Sequence, residues 1–307
     1  MHLSRAFIGT LAAMFFLLPG LVRAEGDLLP SILIPGEDWQ VVAEGITFAD
    51  GASADAEGNF YFCDLKAKPP VVYKVASDGK TKTKIAEIGV SGTKFGPDGK
   101  LYCVGGPKAV VIDLPDGKIT VISEALKTND LAINHAGQIY ITETGKKQVT
   151  YLDSKTGQAK AADVGINKPN GIGFLPNQKT LIVSDYGGLN IWAFTVQADG
   201  SLTDKRVWGT MHAPEKKPTI AGGDGMTIDE TGRAYVTTAL GLQVFDANGQ
   251  LLGILPKPQE GALTNAAFAG PDRCYLYLTC GNKVFRRKTQ VKGALTFEDP
   301  AAAADKK

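Results

Sequence analysis

Six side chains with the chemistry of hard-cation ligands recur along this chain: Asp50, Ser91, Asn129, Asn170, Asp224 and Asn265. Carboxylate and amide oxygens without histidine or cysteine suit Ca²⁺ first, with Mg²⁺ or Mn²⁺ as alternatives. An ion with open coordination positions polarises a carbonyl and stabilises the oxyanion that forms when water attacks it. The six positions therefore predict a metal site used for hydrolysis.

The competing interpretation is that Asn and Asp beside glycine are common turn residues that bond their own backbone. Turn preference explains any single position, but it would equally permit Gly, Lys or Pro at some of them. Six coincident positions favour a shared site. No GxSxG, HExxH, P-loop or dinucleotide fingerprint suggests other chemistry.

The elements that must position these side chains form six repeats. Each predicted site residue lies eight residues before the turn position of its repeat, and the turn positions are spaced by 41, 38, 41, 54 and 41 residues: Gly58, Gly99, Gly137, Gln178, Gly232 and Arg273. Each turn precedes a short apolar strand, as in FYFCD from Phe60, and a third strand and in most units a fourth follow.

Four short strands in about forty residues, with no helical pattern between them, predict a six-bladed all-β propeller. A β-sandwich would not explain strands that return at so regular a period. The lone strand 40–43 is expected to join the last blade and close the ring. Since first strands line the channel of a propeller, the six site positions should converge on its axis.

The chain ends are predicted to lie outside the fold. Residues 1–24 have a positive start, an apolar run and small residues before a cleavage point after Ala24, which indicates a signal peptide. An uncleaved anchor is disfavoured because Pro19 and Gly20 break the run, which is shorter than a spanning helix needs. We expect an exported protein, periplasmic or secreted, with one propeller over 25–300 and a disordered tail over 301–307.

Composition indicates a small-molecule partner. With 33 Lys and Arg against 32 Asp and Glu, the net charge of +1 gives no reason to expect nucleic acid or a membrane surface as partner. Export would permit disulfides, but four cysteines allow three pairings, and buried free thiols are the alternative: Cys63, Cys103, Cys274 and Cys280. The polar loop 212–218 reads equally as a cover for one channel mouth or as a linker. The oligomeric state stays open.

Several phrases of the repeat are similar to those of one known family. FADGASADAEGNFYFCD, TNDLAINHAGQIYITE, KPNGIGFLPNQKTLIVSD and GGDGMTIDETGR resemble successive blades of the regucalcin/gluconolactonase family of six-bladed propellers. The resemblance implies a divalent-metal-dependent hydrolase, usually a sugar lactonase, with calcium or a related ion such as Zn²⁺ on the axis. It implies metal ligation by Asp50, Asn170 and Asp224, and a second role for Asp224 as general base.

The resemblance also assigns substrate contacts to Asn129 and, at a position where some relatives carry arginine, to Lys127. One departure concerns Asp50, which stands where the family normally has a glutamate followed by Gly-Pro. Glu44 does not replace that glutamate, because the repeat places it on the preceding strand. The leading hypothesis is a calcium-dependent lactonase or esterase. The alternatives are a non-catalytic binding propeller with a structural ion and a phosphotriesterase-like hydrolase.

Overall fold

The computed structural model describes residues 29–114 and 116–298, so the predicted signal peptide and tail lie outside the described residues. Apart from three short 3-10 turns at Leu29–Ser31, Thr144–Lys146 and Pro271–Arg273, its regular elements are β-strands. The first half holds β1 Gln40–Ala43, β2 Ala49–Ala54, β3 Phe60–Asp64, β4 Val71–Val75, β5 Lys82–Ala86, β6 Gly92–Phe95, β7 Leu101–Gly105, β8 Lys108–Asp113, β9 Lys118–Ser123, β10 Leu131–Ile133, β11 Ile139–Glu143, β12 Gln148–Leu152 and β13 Ala159–Val164.

The second half continues the same pattern of short strands and tight turns. It holds β14 Pro169–Phe174, β15 Thr180–Asp185, β16 Asn190–Val196, β17 Leu202–Thr210, β18 Met226–Ile228, β19 Ala234–Thr237, β20 Leu242–Phe245, β21 Leu251–Leu255, β22 Leu263–Ala269, β23 Tyr275–Cys280 and β24 Lys283–Lys288. None of the helical segments within 29–114 and 116–298 is long and apolar enough to cross a membrane.

The strands form six four-stranded antiparallel sheets arranged as blades, which confirms the six-bladed β-propeller. Five blades use four consecutive strands, beginning with β2, β6, β10, β14 and β18. The sixth blade has the order β1-β24-β23-β22, with Val41 of β1 opposite Phe285 of β24. The N-terminal strand therefore closes the ring, as predicted, and protects an edge that would otherwise be open.

The turns between first and second strands explain why the repeat is visible in the sequence. All six aligned turn positions have positive φ, and four of them are glycines, which adopt this conformation without strain. Gln178 and Arg273 take the same conformation, with φ of 53° and 56°. The backbone requirement is thus shared by all six blades, whereas the residue that meets it varies.

The core is divided among the six blade interfaces rather than gathered in one place. Six clusters of buried apolar residues form, one between each pair of neighbouring blades. Phe60 of blade one and Tyr277 of blade six, for example, stack with ring centroids 4.6 Å apart across the closure. Because the blades are wedged together by such contacts, the six inner strands are held around one axis.

The described cysteines are all free thiols. Cys63, Cys103 and Cys280 are buried in strands, in agreement with the alternative of buried free thiols. Cys274 is only partly buried and lies between the third 3-10 turn and β23.

Candidate functional site

The six predicted site positions lie at the same end of the six inner strands. Asp50, Asn170 and Asn265 are within β2, β14 and β22. Ser91 directly precedes β6, and Asn129 and Asp224 lie two residues before β10 and β18. The structure brings several of these side chains together at the axis. Asn170 hydrogen-bonds the carboxyl of Asp224, and Asp50 interacts with Asp224 through charge.

The carboxyls at this end of the channel resist ionisation because they are buried and because they repel one another. Burial, followed by the charge of Asp130, raises the pKa of Asp50 to about 7, against partial relief by a hydrogen bond from the Gly51 N–H. Burial, then Asp50, then Asp130 raise the pKa of Asp224 well above its ordinary range. Carboxyls that repel each other in a confined space need a cation before all of them can ionise.

An unsatisfied oxygen marks where a cation would fit. Asn170 is 7% exposed, and its Oδ1 has no hydrogen-bond partner among the described residues. A buried amide oxygen normally has a partner, and hard cations accept such oxygens as ligands. No set of three His, Cys, Asp or Glu side chains in the described chain could hold a metal by itself. The predicted ligands Asp50, Asn170 and Asp224 are not such a set, because one of them is an amide. Their oxygens fit a divalent ion.

Asp130 belongs to the site, although the sequence analysis did not single it out. It is 1% exposed, interacts with Asp50, Asp224 and Lys94, and has an Oδ2 without a hydrogen-bond partner. A comparison of the six repeats would have identified Asp130. The residue after each ring position is Gly or Ala in every other blade, because inner strands approach closely there. A Cβ at Gly92, for instance, would lie 2.7 Å from Asp130 Oδ1.

Lys94 lies below the ring and was also missed. Its Nζ donates a hydrogen bond to the Ala52 carbonyl at 2.9 Å, and burial lowers its pKa while Asp130 opposes that shift. Among the residues that the structure describes, Lys94 is the only charged one lining a cavity of about 70 Å³, which is enough for several waters. Residues 294–297 line the same cavity, and Thr296 Oγ1 donates to the Ile133 carbonyl at 3.0 Å.

Hydroxyl groups join neighbouring blades at the level of the ring. Thr142 Oγ1 accepts from the Asp130 N–H and donates to the Asn170 carbonyl, at 3.0 and 2.6 Å. Ser184 Oγ lies 2.9 Å from the Asp224 carbonyl in the same way. Both hydroxyls come from the next-to-last residue of a blade's second strand and reach the inner strand of the following blade. They fix the backbone that carries two predicted ligands.

Carboxylates at the ends of three second strands hold the chain just before the ring. Asp64 accepts from the Phe48 N–H at 3.0 Å, Glu143 from Lys127 at 2.7 Å, and Asp185 from Lys168 at 2.9 Å. In each case the donor lies two residues before a predicted site residue: Asp50, Asn129 and Asn170. Three blades therefore use the same hydrogen bond, from a backbone N–H to a buried carboxylate, to hold the segment before a predicted site residue.

Comparisons with known proteins identify the family of this chain. Residues 43–282 match the model of a family described as the SMP-30/gluconolactonase/LRE-like region, which is more than half of the chain. This chain belongs to that family. It is 25% identical to a gluconolactonase of Zymomonas mobilis, over 89% of this chain and 87% of the relative. The family and this relative support a lactonase-like hydrolase.

Solved structures with the family's fold show the same architecture. A gluconolactonase from Xanthomonas campestris is 23% identical with a TM-score of 0.71, covering 84% of this chain and 91% of that one. A calcium-binding protein, regucalcin, from Agrobacterium tumefaciens is 20% identical with a TM-score of 0.70, covering 85% and 96%. At these identities the likeness establishes the fold.

Asp224, Asn170 and Asn129 lie at the ring end of the inner strands. Asp50 also lies in the ring, and Glu44 lies outside it, exposed just after β1. Lys127 is exposed at the mouth of the channel. The loop 212–218 lies at this same end and is tied to blade five, where Gln243 exchanges two hydrogen bonds with the His212 backbone.

Proposed function

We propose that this chain is a divalent-metal-dependent lactonase, with Ca²⁺ as the ion and a small, sugar-derived lactone or related ester as substrate. The single observation that carries the proposal is the unsatisfied Oδ1 of Asn170 beside two repelling carboxyls on the axis of a gluconolactonase-family propeller. Asp50, Asn170 and Asp224 would hold the ion. When bound, the ion supplies electrophilic stabilisation of the negative charge that develops on the carbonyl oxygen.

Other residues bind the substrate and orient it and the attacking water. The Asn129 amide is the group that contacts the lactone, and its backbone carbonyl is fixed by a 2.6 Å hydrogen bond from Ser91 Oγ. Lys127 lies at the mouth, where its ammonium contacts oxygens of the substrate. Asp224 accepts the proton of the attacking water at its carboxylate, which is the general-base role that the family resemblance implies.

Water access to the ring is from one side of the propeller. Segment 294–297 lines the cavity at the other end of the inner strands, and the Ala294 N–H bonds the Ile228 carbonyl at 3.0 Å. The lactone therefore enters and its hydroxy acid leaves by the mouth that carries Lys127. We further propose that the protein works outside the cytoplasm after removal of residues 1–24, and mass spectrometry of the mature chain tests that point.

The test uses residues 25–307, stripped with EDTA and returned to Ca²⁺, Mg²⁺, Mn²⁺ or Zn²⁺ in turn. Hydrolysis of glucono-1,5-lactone, other sugar lactones and a phosphotriester is followed by titration of released acid. We expect lactone turnover that is lost with EDTA and restored best by Ca²⁺. Absence of turnover on every lactone with every ion would overturn the proposal, and turnover of the phosphotriester alone would support the phosphotriesterase alternative.

A second test distinguishes an enzyme from a non-catalytic binding propeller with a structural ion. Asp224→Ala should lose turnover while the protein keeps its fold, as monitored by far-UV circular dichroism. Asp229 provides a matched control, because it is also a buried aspartate in blade five but lies at the opposite end of β18. Asp229→Asn should retain turnover in whatever fraction remains folded.

A further inference from the structure

Two lysines occupy equivalent, fixed positions at the mouth of the channel. Lys127 lies two residues before Asn129, and Lys168 lies two residues before Asn170 on the neighbouring blade. Their backbone N–H groups bond the carboxylates of Glu143 and Asp185, at 2.7 and 2.9 Å. Both lysines are exposed. The fold thus holds the backbone of two exposed lysines at equivalent positions, each two residues before a ring residue.

Within the described chain, no ion pair or side-chain hydrogen bond engages Lys127, Lys168 or the nearby Lys147. The Gly165 N–H bonds the Lys147 carbonyl at 2.9 Å, so the loop that carries Lys147 is joined to the segment that leads to Lys168. Lys146 differs, because its Nζ lies 2.8 Å from Glu143 Oε1. Lys127, Lys147 and Lys168 therefore lie on blades three and four without an ion pair among the described residues.

Aspartates in the turns on the opposite face of the propeller are there for a structural reason. They accept backbone N–H groups, such as Asp55 from Asn59 and Asp153 from Lys155, both at 2.8 Å. Such turns require a short acceptor side chain. The side chains of Lys127 and Lys168 make no comparable contact among the described residues, so turn formation does not explain them.

Lys127 and Lys168 are exposed, so an approaching substrate meets their positive charge before it reaches the ring. A positive field at a channel mouth raises the encounter rate of anions.

We propose that the substrate is a lactone that bears a carboxylate, and that Lys127 and Lys168 select it. This inference rests on the lactonase function proposed above and narrows its substrate class. A carboxylate between two fixed lysines would gain charge-assisted hydrogen bonds that a hydroxymethyl group could not replace. The ring end of the lactone would then lie over Asn129 and Asn170, directly below the two lysines.

The test compares two substrates that differ only in this group. D-glucaro-1,4-lactone has a carboxylate where D-glucono-1,4-lactone has a hydroxymethyl group. We expect kcat/KM to favour the glucaro-lactone by about tenfold or more at low salt. The preference should shrink at 1 M salt, where the Debye length is only about 3 Å. A ratio near one, or a preference for the neutral lactone, overturns the inference.

Variants locate the selectivity. In Lys127→Gln/Lys168→Gln the ratio of the two kcat/KM values should fall toward one. The matched control is Lys80→Gln/Lys155→Gln, which removes two exposed lysines from turns on the opposite face and should leave the ratio unchanged. Equal ratios in the two double variants overturn the assignment to the mouth. If the protein cleaves neither of these two lactones nor glucono-1,5-lactone, the lactonase function itself is rejected.

Discussion

The carboxylate of Glu143 accepts a hydrogen bond from the backbone N–H of Lys127, with Oε1 2.7 Å from the nitrogen. Glu143 is fully buried, and burial raises its pKa, but hydrogen bonds from Lys146, Thr150 and Lys127 outweigh that effect and lower it. The residue is therefore an ionised anchor for the segment that carries Lys127 and Asn129. Equivalent anchors occur at Asp64 and Asp185.

Glu143→Gln should raise KM for the lactone several-fold and leave metal affinity within about a factor of two, because Glu143 holds the segment of Lys127 and Asn129 rather than that of a proposed metal ligand. Steady-state kinetics and metal titration calorimetry provide the two measurements. The control is Asp55→Asn, since Asp55 is also a buried carboxylate that accepts a backbone N–H but lies on the opposite face. An equal rise in KM in both variants would reduce Glu143 to a purely structural role.

Asp185→Asn should affect metal affinity more than KM for the lactone, the opposite of Glu143→Gln. Asp185 fixes the segment before Asn170, a proposed metal ligand, so its loss should weaken metal binding by about tenfold or more. Calorimetric titration of the EDTA-treated protein with Ca²⁺ checks this, with Glu143→Gln titrated in parallel. If both variants bind the ion as the parent does, the idea that these anchors position the ring is wrong.

Metal-free protein should become less stable as pH rises from 5 to 8. The pKa of Asp50 in the fold is about 7, against an ordinary value of 3.8, so its contribution to stability is present below pH 4 and is lost through pH 7. The raised pKa of Asp224 acts in the same direction. Glu143, with a lowered pKa, titrates below this interval. Thermal unfolding in EDTA measures the trend.

Calcium should reverse that trend, because the ion replaces the protons that the carboxyls otherwise retain. The rise in Tm on adding Ca²⁺ should be small at pH 5 and several degrees larger at pH 8. The same buffers without calcium serve as the reference. A metal-free Tm that increases steadily from pH 5 to 8 would contradict the repulsion described here.

Asp224→Asn should separate function from stability. Removal of one repelling carboxylate should raise the Tm of metal-free protein at pH 8, while metal affinity and turnover fall by two orders of magnitude or more. Differential scanning calorimetry and metal titration test the two halves. A substitution on the same blade, Asp229→Asn, should instead lower Tm, because Asp229 accepts hydrogen bonds from Thr231, Arg233 and Tyr235.

Thr142→Val should cost about 1 to 3 kcal/mol of unfolding free energy, since the isosteric change leaves the buried Asn170 carbonyl and Asp130 N–H without their partner. Urea unfolding of the metal-free protein measures this loss. Thr203→Val, at an exposed position of β17, should change stability by less than about 0.5 kcal/mol. Equal effects would mean that the blade-joining hydroxyl carries no special role.

The propeller was predictable because each blade repeats one local requirement. A positive-φ turn must follow the inner strand and precede a buried strand, and this requirement leaves a mark at the same place in six units. The ring positions were predictable for the same reason, since their register is counted from those turns. The closing role of β1 followed from its lack of a neighbouring partner in the sequence.

Asp130 and Lys94 were not found, because neither stands out in its own repeat. Asp130 becomes significant only when its blade is compared with the five in which Gly or Ala fills the narrow gap between inner strands. In the sequence, Lys94 looks like an ordinary exposed lysine of a β-strand. Only the closed ring of blades shows that it is buried. The anchors Asp64, Glu143 and Asp185 likewise look like strand-ending acids until they are paired with backbone groups 16 or 17 residues away.

By itself, then, the sequence determined the number of blades, the register of the inner strands and the six oxygen-bearing positions at their ends, because these depend on local turn geometry. Only the tertiary structure decided which side chains meet at the axis, which carboxyls repel one another, and which oxygen of Asn170 lacks a partner. Those relationships join residues on different blades, and they exist only after the blade interfaces have packed and β1 has closed the ring.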